Sequence, residues 1–155
     1  MALQCISKNR LTMKKILLIL LCLPMIGFGQ EVKRAYYNSG AILSEVHYNI
    51  EGKRDGTTKY FYDWGAWAIK TEANYKNGKM DGEFTSYTKY GRIKEEGFYK
   101  YTEEGVCSER TGIWKRYYDS GELNSEITYD ENGKSVKYIS YEKDGTIIPM
   151  LEGGC

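Results

Sequence analysis

Glycine recurs along this chain at similar intervals. Five glycines are separated by 25, 26, 30 and 24 residues, and we call them the ruler glycines: Gly40, Gly65, Gly91, Gly121 and Gly145. Periods in the twenties are typical of stacked supersecondary units, each of which needs its neighbours to bury an apolar face. The chain is therefore predicted to be an array of about five short units.

Other residues repeat at fixed offsets from the ruler glycines. A second glycine stands nine residues before three of them: Gly56, Gly82 and Gly112. A glutamate and then a tyrosine follow four of them, with two extra residues in the second unit: Glu45 and Tyr48, Glu72 and Tyr75, Glu96 and Tyr99, Glu126 and Tyr129. The terminal units have Glu31 and Val136 where the second glycine would stand, as expected of atypical capping repeats.

The segments between glycines alternate with a period of two, which predicts strands with one covered and one wet face. Asn77-Gly78 and Asn132-Gly133 predict type I′ hairpin turns, and Asp55-Gly56 and Asp81-Gly82 are expected to start the next strands. Residues 99–112 form the one long connection. It is interpreted either as a loop added at a functional face or as an insertion that the fold tolerates. The predicted fold is all-β: an elongated meander of about ten antiparallel strands, with no helix after the N-terminal segment.

Composition narrows the classes of function. Fifteen Tyr and three Trp accompany two Pro and one His, so residues suited to nucleophilic or metal chemistry are scarce. Residues 1–30 hold four bases and no acid, and the remaining 18 bases and 21 acids give a balance of −3. A mildly acidic body of mixed charge offers no basic footprint for nucleic acid or anionic lipid.

The segment Met13–Gln30 has the order of a secretory signal: two lysines, an apolar run from Ile16 to Ile26, and a small-x-small triplet before a cleavage expected after Gly29. We expect residues 1–29 to be a helical signal peptide, with Met1 or Met13 as the true start, residues 30–148 to be the repeat domain and residues 149–155 a tail. A buried core helix or an uncleaved anchor is the alternative, although the apolar run is short for a bilayer. The chain is accordingly predicted to be exported to the periplasm, the outer surface or the medium.

Cysteine usage adds little. Leu21 before Cys22 disfavours lipidation, which needs a small residue there. The segment resembles signals of Gram-negative bacteria of the Bacteroidota type. After cleavage Cys107 and Cys155 remain, and they either form a disulfide or stay as two thiols.

The stretch "YKNGKMDGEFTSYTKYGRIKEEGFY", residues 75–99, carries a family resemblance. It resembles the variant MORN repeats of bacteria, the family often labelled YwqK-type antitoxin, over nearly all of residues 31–145. The resemblance implies a β-hairpin array that acts as a binding or scaffold surface. A signal peptide would remove the protein from the cytosol, so an antitoxin-like role would have to be an immunity or partner-binding role in the cell envelope.

The sequence contains no recognised catalytic, cofactor or metal motif, and we predict a protein that is not an enzyme and has no cofactor. His47 is interpreted as an exposed histidine and not as a general base. The glutamate series could act as a glycosidase pair or weak cation site, but solvated charge pairs with bases such as Arg92 and Lys94 are favoured. An envelope hydrolase would lose its activity in Glu96→Gln or Glu126→Gln.

Aromatic residues are the best candidates for binding. Phe84, Trp114 and Tyr118 are interpreted as core. Trp64 and Trp67 lie in a turn that has two extra residues, and exposed rings bind peptides or sugar faces well. The candidate partner-binding residues are Trp64, Trp67, Tyr60 and Tyr62. We predict a surface for another protein, with a glycan-binding module as the alternative and self-association through edge strands as a further option.

Overall fold

The part of the chain that the structure describes forms one open sheet of ten antiparallel strands in chain order. The computed structural model describes residues 31–64, 68–101 and 107–149, and this part of the chain contains no helix. The strands are β1 Glu31–Tyr36, β2 Ile42–Tyr48, β3 Arg54–Phe61, β4 Ile69–Lys76, β5 Lys79–Tyr87, β6 Ile93–Lys100, β7 Glu109–Tyr117, β8 Leu123–Tyr129, β9 Ser135–Tyr141 and β10 Ile147–Ile148. The predicted meander is confirmed; the predicted signal helix lies outside the described residues.

The ruler glycines close the turns along one edge of the sheet, which we call the glycine-turn edge. In the turn from Tyr37 to Ala41, the N–H of Gly40 donates to the carbonyl of Tyr37, and Gly40 has a φ of 87°. The same bond pattern recurs at Gly91, Gly121 and Gly145, each with positive φ. A side chain is strained in this conformation, which explains why glycine recurs there. Gly65 lies outside the described residues.

The opposite edge contains two kinds of turn. Asn77 and Gly78 have φ values of 49° and 88° in a two-residue connection, so the predicted type I′ turn is confirmed. The prediction for Asn132-Gly133 was wrong, because only Gly133 of this pair has positive φ. There the Asp130 carboxylate accepts the N–H groups of Asn132 and Lys134, and this favours a longer loop.

The second series of glycines lies inside strands and not at their starts, which corrects the prediction. Gly56 in β3, Gly82 in β5 and Gly112 in β7 have positive φ and stand beside shifts in strand register. On the following strand, each of these glycines pairs with a repeated tyrosine: Tyr75, Tyr99 and Tyr129 respectively. A bulge of this kind needs glycine because a Cβ disfavours positive φ.

The fourth unit also differs from its predicted boundaries. Residues 99–112 were expected to be one connection, but β6 continues to Lys100 and β7 begins at Glu109. The connection is therefore shorter than predicted, and residues 102–106 within it lie outside the described residues. Its position is the edge opposite the glycine-turn edge, since it joins β6 to β7 in the meander.

One face of the sheet holds the core, and we call it the packed face. Four of the five buried apolar side chains in the described residues lie on it: Val46 in β2, Ala73 in β4, Trp114 in β7 and Ile127 in β8. The fifth, Phe61, alternates with Tyr60 in β3 and lies on the opposite face. Trp114 has an exposed fraction of 0% and stacks against half-buried Phe84 with ring centroids 5.5 Å apart, so the interpretation of these rings as core is confirmed. Tyr118 is half-buried at the adjoining turn.

The other face, which we call the polar face, carries a row of mostly charged residues at directly paired positions: Arg34, Glu45, Lys59, Glu72, Thr85, Glu96, Lys115 and Glu126. Opposite charges alternate along much of this row, which favours the observed register through cross-strand pairs. The alternation predicted from the sequence therefore corresponds to one covered and one solvated face.

Candidate binding edge

The structure separates the predicted partner-binding residues into two groups. Trp64 follows β3 on the glycine-turn edge and is 59% exposed. Tyr62 lies beside it, with ring centroids 5.8 Å apart. Tyr60 lies within β3 on the packed face, opposite Ser44 and Thr71. Trp67 lies outside the described residues. Trp64 and Tyr62 therefore form one surface, and Tyr60 is not part of it.

Two residues of this surface were missed in the sequence. Tyr90 is 75% exposed, and Lys89 beside it is also exposed. Tyr90 stands directly before Gly91, just as Trp64 stands directly before Gly65. Because consecutive ruler turns stack on one edge, alignment of the units by their glycines could have brought Tyr90 beside Trp64.

Lys89 links the two exposed rings. Its Nζ lies 5.3 Å from the ring centroid of Trp64 and 5.1 Å from that of Tyr90. Both distances are within the range of a cation–π contact. Lys70 is placed similarly over Tyr62, at 5.8 Å. We call Trp64, Tyr90, Lys89, Tyr62 and Lys70 the aromatic-lysine patch.

Tyrosine hydroxyls tie neighbouring ruler turns to one another. Tyr62 Oη donates to the carbonyl oxygen of Tyr87 at 2.8 Å, which joins the second unit to the third. Tyr37 Oη donates to Phe61 and Tyr118 Oη to Tyr141 in the same way, each at 2.8 Å. These bonds hold the aromatic-lysine patch on a backbone that is fixed at several points.

Thr88 stands where three of the other four ruler turns have tyrosine, and a different contact joins the third and fourth units. Arg92 Nη1 donates to the carbonyl oxygens of Asp119 and Ser120, at 2.8 and 3.1 Å. Thr88 Oγ1 accepts the N–H groups of Tyr90 and Arg92, and this fixes the turn that carries Tyr90. Both Trp64 and Tyr90 therefore stand on braced turns.

The repeated glutamates have structural partners. Glu45 pairs with Arg34 and Glu72 with Lys59, each at 2.8 Å. Tyrosines of the following unit donate to the glutamates, Tyr87 to Glu72 at 3.0 Å and Tyr117 to Glu96 at 2.5 Å. Tyr141 donates to Glu126 at 3.0 Å. The prediction of charge pairs is confirmed for two glutamates, but Arg92 and Lys94 are not the partners.

These contacts shift the pKa of Glu72 and that of Tyr117. Burial opposes the charge of Glu72, but the bonds from Lys59 and Tyr87 prevail and hold its pKa below the ordinary value. Partial burial, the hydrogen bond to Glu96 and the nearby negative charges raise the pKa of Tyr117 to about 12. Glu72 is therefore held as a charged acceptor.

His47 is half-buried, which corrects the expectation of an exposed side chain. Its Nδ1 lies 2.5 Å from the carbonyl oxygen of Thr57 and therefore carries the hydrogen as donor. Within the described ranges, no group of three His, Cys, Asp or Glu side chains could hold a metal ion. Cys107 is exposed, and Cys155 lies outside the described residues. No helix in this part of the chain is long and apolar enough to cross a membrane.

The fourth unit matches a known family. Residues 110–131, which run from the second residue of β7 to just past β8, match the family described as MORN repeat variant. A search of curated proteins found no match. The expected relation to the YwqK-type antitoxin group stays a prediction. The matched unit is similar to a MORN repeat variant, and with the β-hairpin array it supports a repeat protein with a binding or scaffold role.

Proposed function

We propose that this is an exported, non-enzymatic scaffold that binds another protein through the aromatic-lysine patch on its glycine-turn edge. The observation that carries the proposal is the exposure of Trp64 and Tyr90 side by side on consecutive turns. Tryptophan and tyrosine are enriched among residues that dominate the energy of protein interfaces.

The bracing of the turns adds support. Tyr62 and Arg92 connect the turns of the patch to their neighbours through backbone carbonyls. A surface fixed in advance loses little conformational entropy when a partner binds. An envelope partner would make this an immunity-like or assembly role, consistent with the signal-like segment Met13–Gln30.

Affinity capture tests the binding proposal. The tagged protein and a Trp64→Ala, Tyr90→Ala variant are used as baits against a native envelope fraction. The matched control is Phe98→Ala, Ile113→Ala, since these exposed side chains lie on β6 and β7, away from the patch. We expect one protein in fixed proportion with the wild type and the control, and its loss with the patch variant. Equal capture by all three baits would show that the binding site lies outside the aromatic-lysine patch.

Glycan binding is the second candidate, because the exposed ring of Trp64 could also stack on a sugar face. Capture of no protein, together with oligosaccharide binding that survives high salt and is lost in the patch variant, would replace the first proposal with the second. Hydrolysis of an envelope glycan that is lost in Glu96→Gln with folding retained would instead indicate an enzyme.

Export is tested separately. The full chain with a C-terminal tag is expressed in a Gram-negative host, and the tagged product is fractionated and sequenced from its N-terminus. We expect a product outside the cytosol that begins near Gln30. A cytosolic product that retains residues 13–29 would contradict export and restore a cytosolic antitoxin-like role.

A further inference from the structure

We propose that the aromatic-lysine patch recognises an acidic peptide segment, whose carboxylate binds Lys89 while its apolar side chains contact Trp64 and Tyr90. This inference rests on the proposed protein-binding function and gives the chemistry of the partner.

Lys89 is placed as a receptor for an anion. Its ammonium lies between two exposed rings, and no carboxylate within the described ranges is within ion-pair distance of it. An ammonium group has three donor hydrogens, and the ring faces do not replace a carboxylate as acceptor. A partner carboxylate would thus gain a charge-assisted hydrogen bond without displacing an existing ion pair.

Lys143 shows the contrast at the equivalent position of the fifth unit. Each lysine stands two residues before a ruler glycine and over an aromatic ring, with Lys143 5.6 Å from the ring of Tyr118. Lys143, however, lies between Glu142 and Asp144 in sequence, whereas Lys89 lies between Thr88 and Tyr90. The same turn position is therefore flanked in sequence by two acids in the fifth unit and by two neutral residues in the third.

The exposed charges along the glycine-turn edge change from mainly basic near the patch to acidic toward the fifth unit. Lys70 in the patch and Lys94 beside it are exposed bases, and the exposed acid next to Trp64, Asp63, accepts a hydrogen bond from Ser39. The turns of the fourth and fifth units instead contain exposed acids: Asp119, Glu122, Glu142 and Asp144. An acidic partner would be attracted to the middle of the edge and repelled from its C-terminal end, which gives the docking both a position and a direction.

The spacing of the turns suggests the pattern of the peptide. Consecutive ruler turns are separated by two strand spacings, or about 10 Å. A peptide in the polyproline II conformation advances about 3.1 Å per residue and points every third side chain to the same side. Side chains three residues apart would therefore lie over Trp64 and Tyr90, with carboxylates between them at Lys89. An apolar-acidic-acidic-apolar segment meets this requirement.

The test uses the full chain and an acetylated, amidated peptide Gly-Leu-Glu-Glu-Leu-Gly, with binding followed by NMR of the tryptophan indole N–H signals. We expect saturable binding that weakens about threefold to fivefold in the Gln-Gln peptide or in Lys89→Gln, as for one exposed ion pair. Lys143→Gln is the matched control and should bind as the wild type does. Equal affinity for both peptides, or equal loss in the two lysine variants, would overturn the inference.

Two further arms separate this inference from the proposed function. Tighter binding of an oligogalacturonate than of the acidic peptide, with the same dependence on Lys89, would assign the patch to an acidic glycan and overturn the inference. Envelope capture that depends on Trp64 and Tyr90 but is unchanged in Lys89→Gln would retain the protein partner and reject its acidic character. Peptide binding that depends on Lys89, with no protein captured, would retain the chemistry and reject the protein-scaffold role.

Discussion

The second and fourth units fill the same buried position with very different side chains. Seven residues before the ruler glycine, the second unit has Thr58 and the fourth has Trp114, and both are fully buried. Thr58 pairs across β3 and β4 with Ala73. Trp114 covers Gly97 of the preceding strand, where a Cβ would come within 2.3 Å of its ring. The repeat thus determines that this position is buried, and the residues on the neighbouring strands determine how large its side chain can be.

The surroundings of the two positions differ accordingly. The ring of Trp114 lies 5.0 Å from Tyr99 and 6.4 Å from Tyr129, and Arg110 lies 4.0 Å above it. At the position of Arg110, the second unit has Arg54, which lies 5.3 Å from the ring of Tyr75. Trp114 of the fourth unit is therefore the centre of an aromatic cluster that also includes Phe84 and Tyr99 of the third unit. The fourth unit is also the one that matches the MORN repeat variant.

Removal of Trp114 gives the largest expected effect. Trp114→Ala should reduce the free energy of unfolding by about 3–5 kcal/mol, because it leaves a cavity among stacked rings. It also removes the indole N–H bond to the carbonyl of Phe98. Urea unfolding followed by circular dichroism measures the loss. Trp64→Ala is the control and should change stability by less than about 0.5 kcal/mol, as an exposed site does. Similar losses in both variants would contradict an aromatic core centred on Trp114.

Addition of one methyl group at Gly97 tests the same core from the other side. Gly97→Ala should cost about 1–3 kcal/mol, because its Cβ would overlap the fixed ring of Trp114. In a Trp114→Ala background the clash disappears, so the same substitution should cost less than about 0.5 kcal/mol. Denaturant unfolding of the four proteins completes the cycle. Additive losses would show that Gly97 is required for its backbone and not for the ring.

The sequence predicted the meander and its units because those features depend on local requirements. A ruler glycine indicates a turn with positive φ. Alternation indicates which side chains share a face, as with Ser125 and Ile127, which are both buried. The bulges could not be predicted as such, since Gly56 and Gly82 differ from turn glycines only in the strands beside them. Asn132-Gly133 was misassigned because the Asp130 side chain, which the dipeptide pattern ignores, selects a longer loop.

The binding edge was predicted only in part for a similar reason. Trp64 stood out because its turn has two extra residues, and its exposure agrees with that interpretation. Lys89 and Tyr90 belong to the next unit, so their contact with Trp64 depends on how neighbouring turns stack. Gly97 lies outside the repeated glycine positions, and its contact with Trp114 depends on the register between β6 and β7.

Thr58 offers a gain of stability in the second unit. Its Oγ1 is buried and has no hydrogen-bond partner within the part of the chain that the structure describes. Thr58→Val keeps the shape and removes the unsatisfied hydroxyl, so it should stabilise the protein by about 1 kcal/mol. The control is the adjacent Thr57→Val, which should be destabilising because Thr57 Oγ1 donates to Asn74 Oδ1 at 2.8 Å. Thermal unfolding distinguishes the two signs, and a loss in both variants would mean that the Thr58 hydroxyl is satisfied in solution.

The smallest expected effects concern a contact that the second and fourth units share. Tyr62 and Tyr118 each donate a 2.8 Å hydrogen bond to a backbone carbonyl of the following unit. Tyr62→Phe and Tyr118→Phe should each cost about 0.5–1 kcal/mol, as for one neutral, half-buried hydrogen bond. Tyr90→Phe, at an exposed ring, is the control and should leave stability unchanged. Equal losses by urea unfolding would show that the units differ in how they are packed and agree in how they are joined. A difference above about 0.5 kcal/mol between the Tyr62 and Tyr118 variants would mean that the packing around each unit also affects the strength of the hydrogen bond to the next unit.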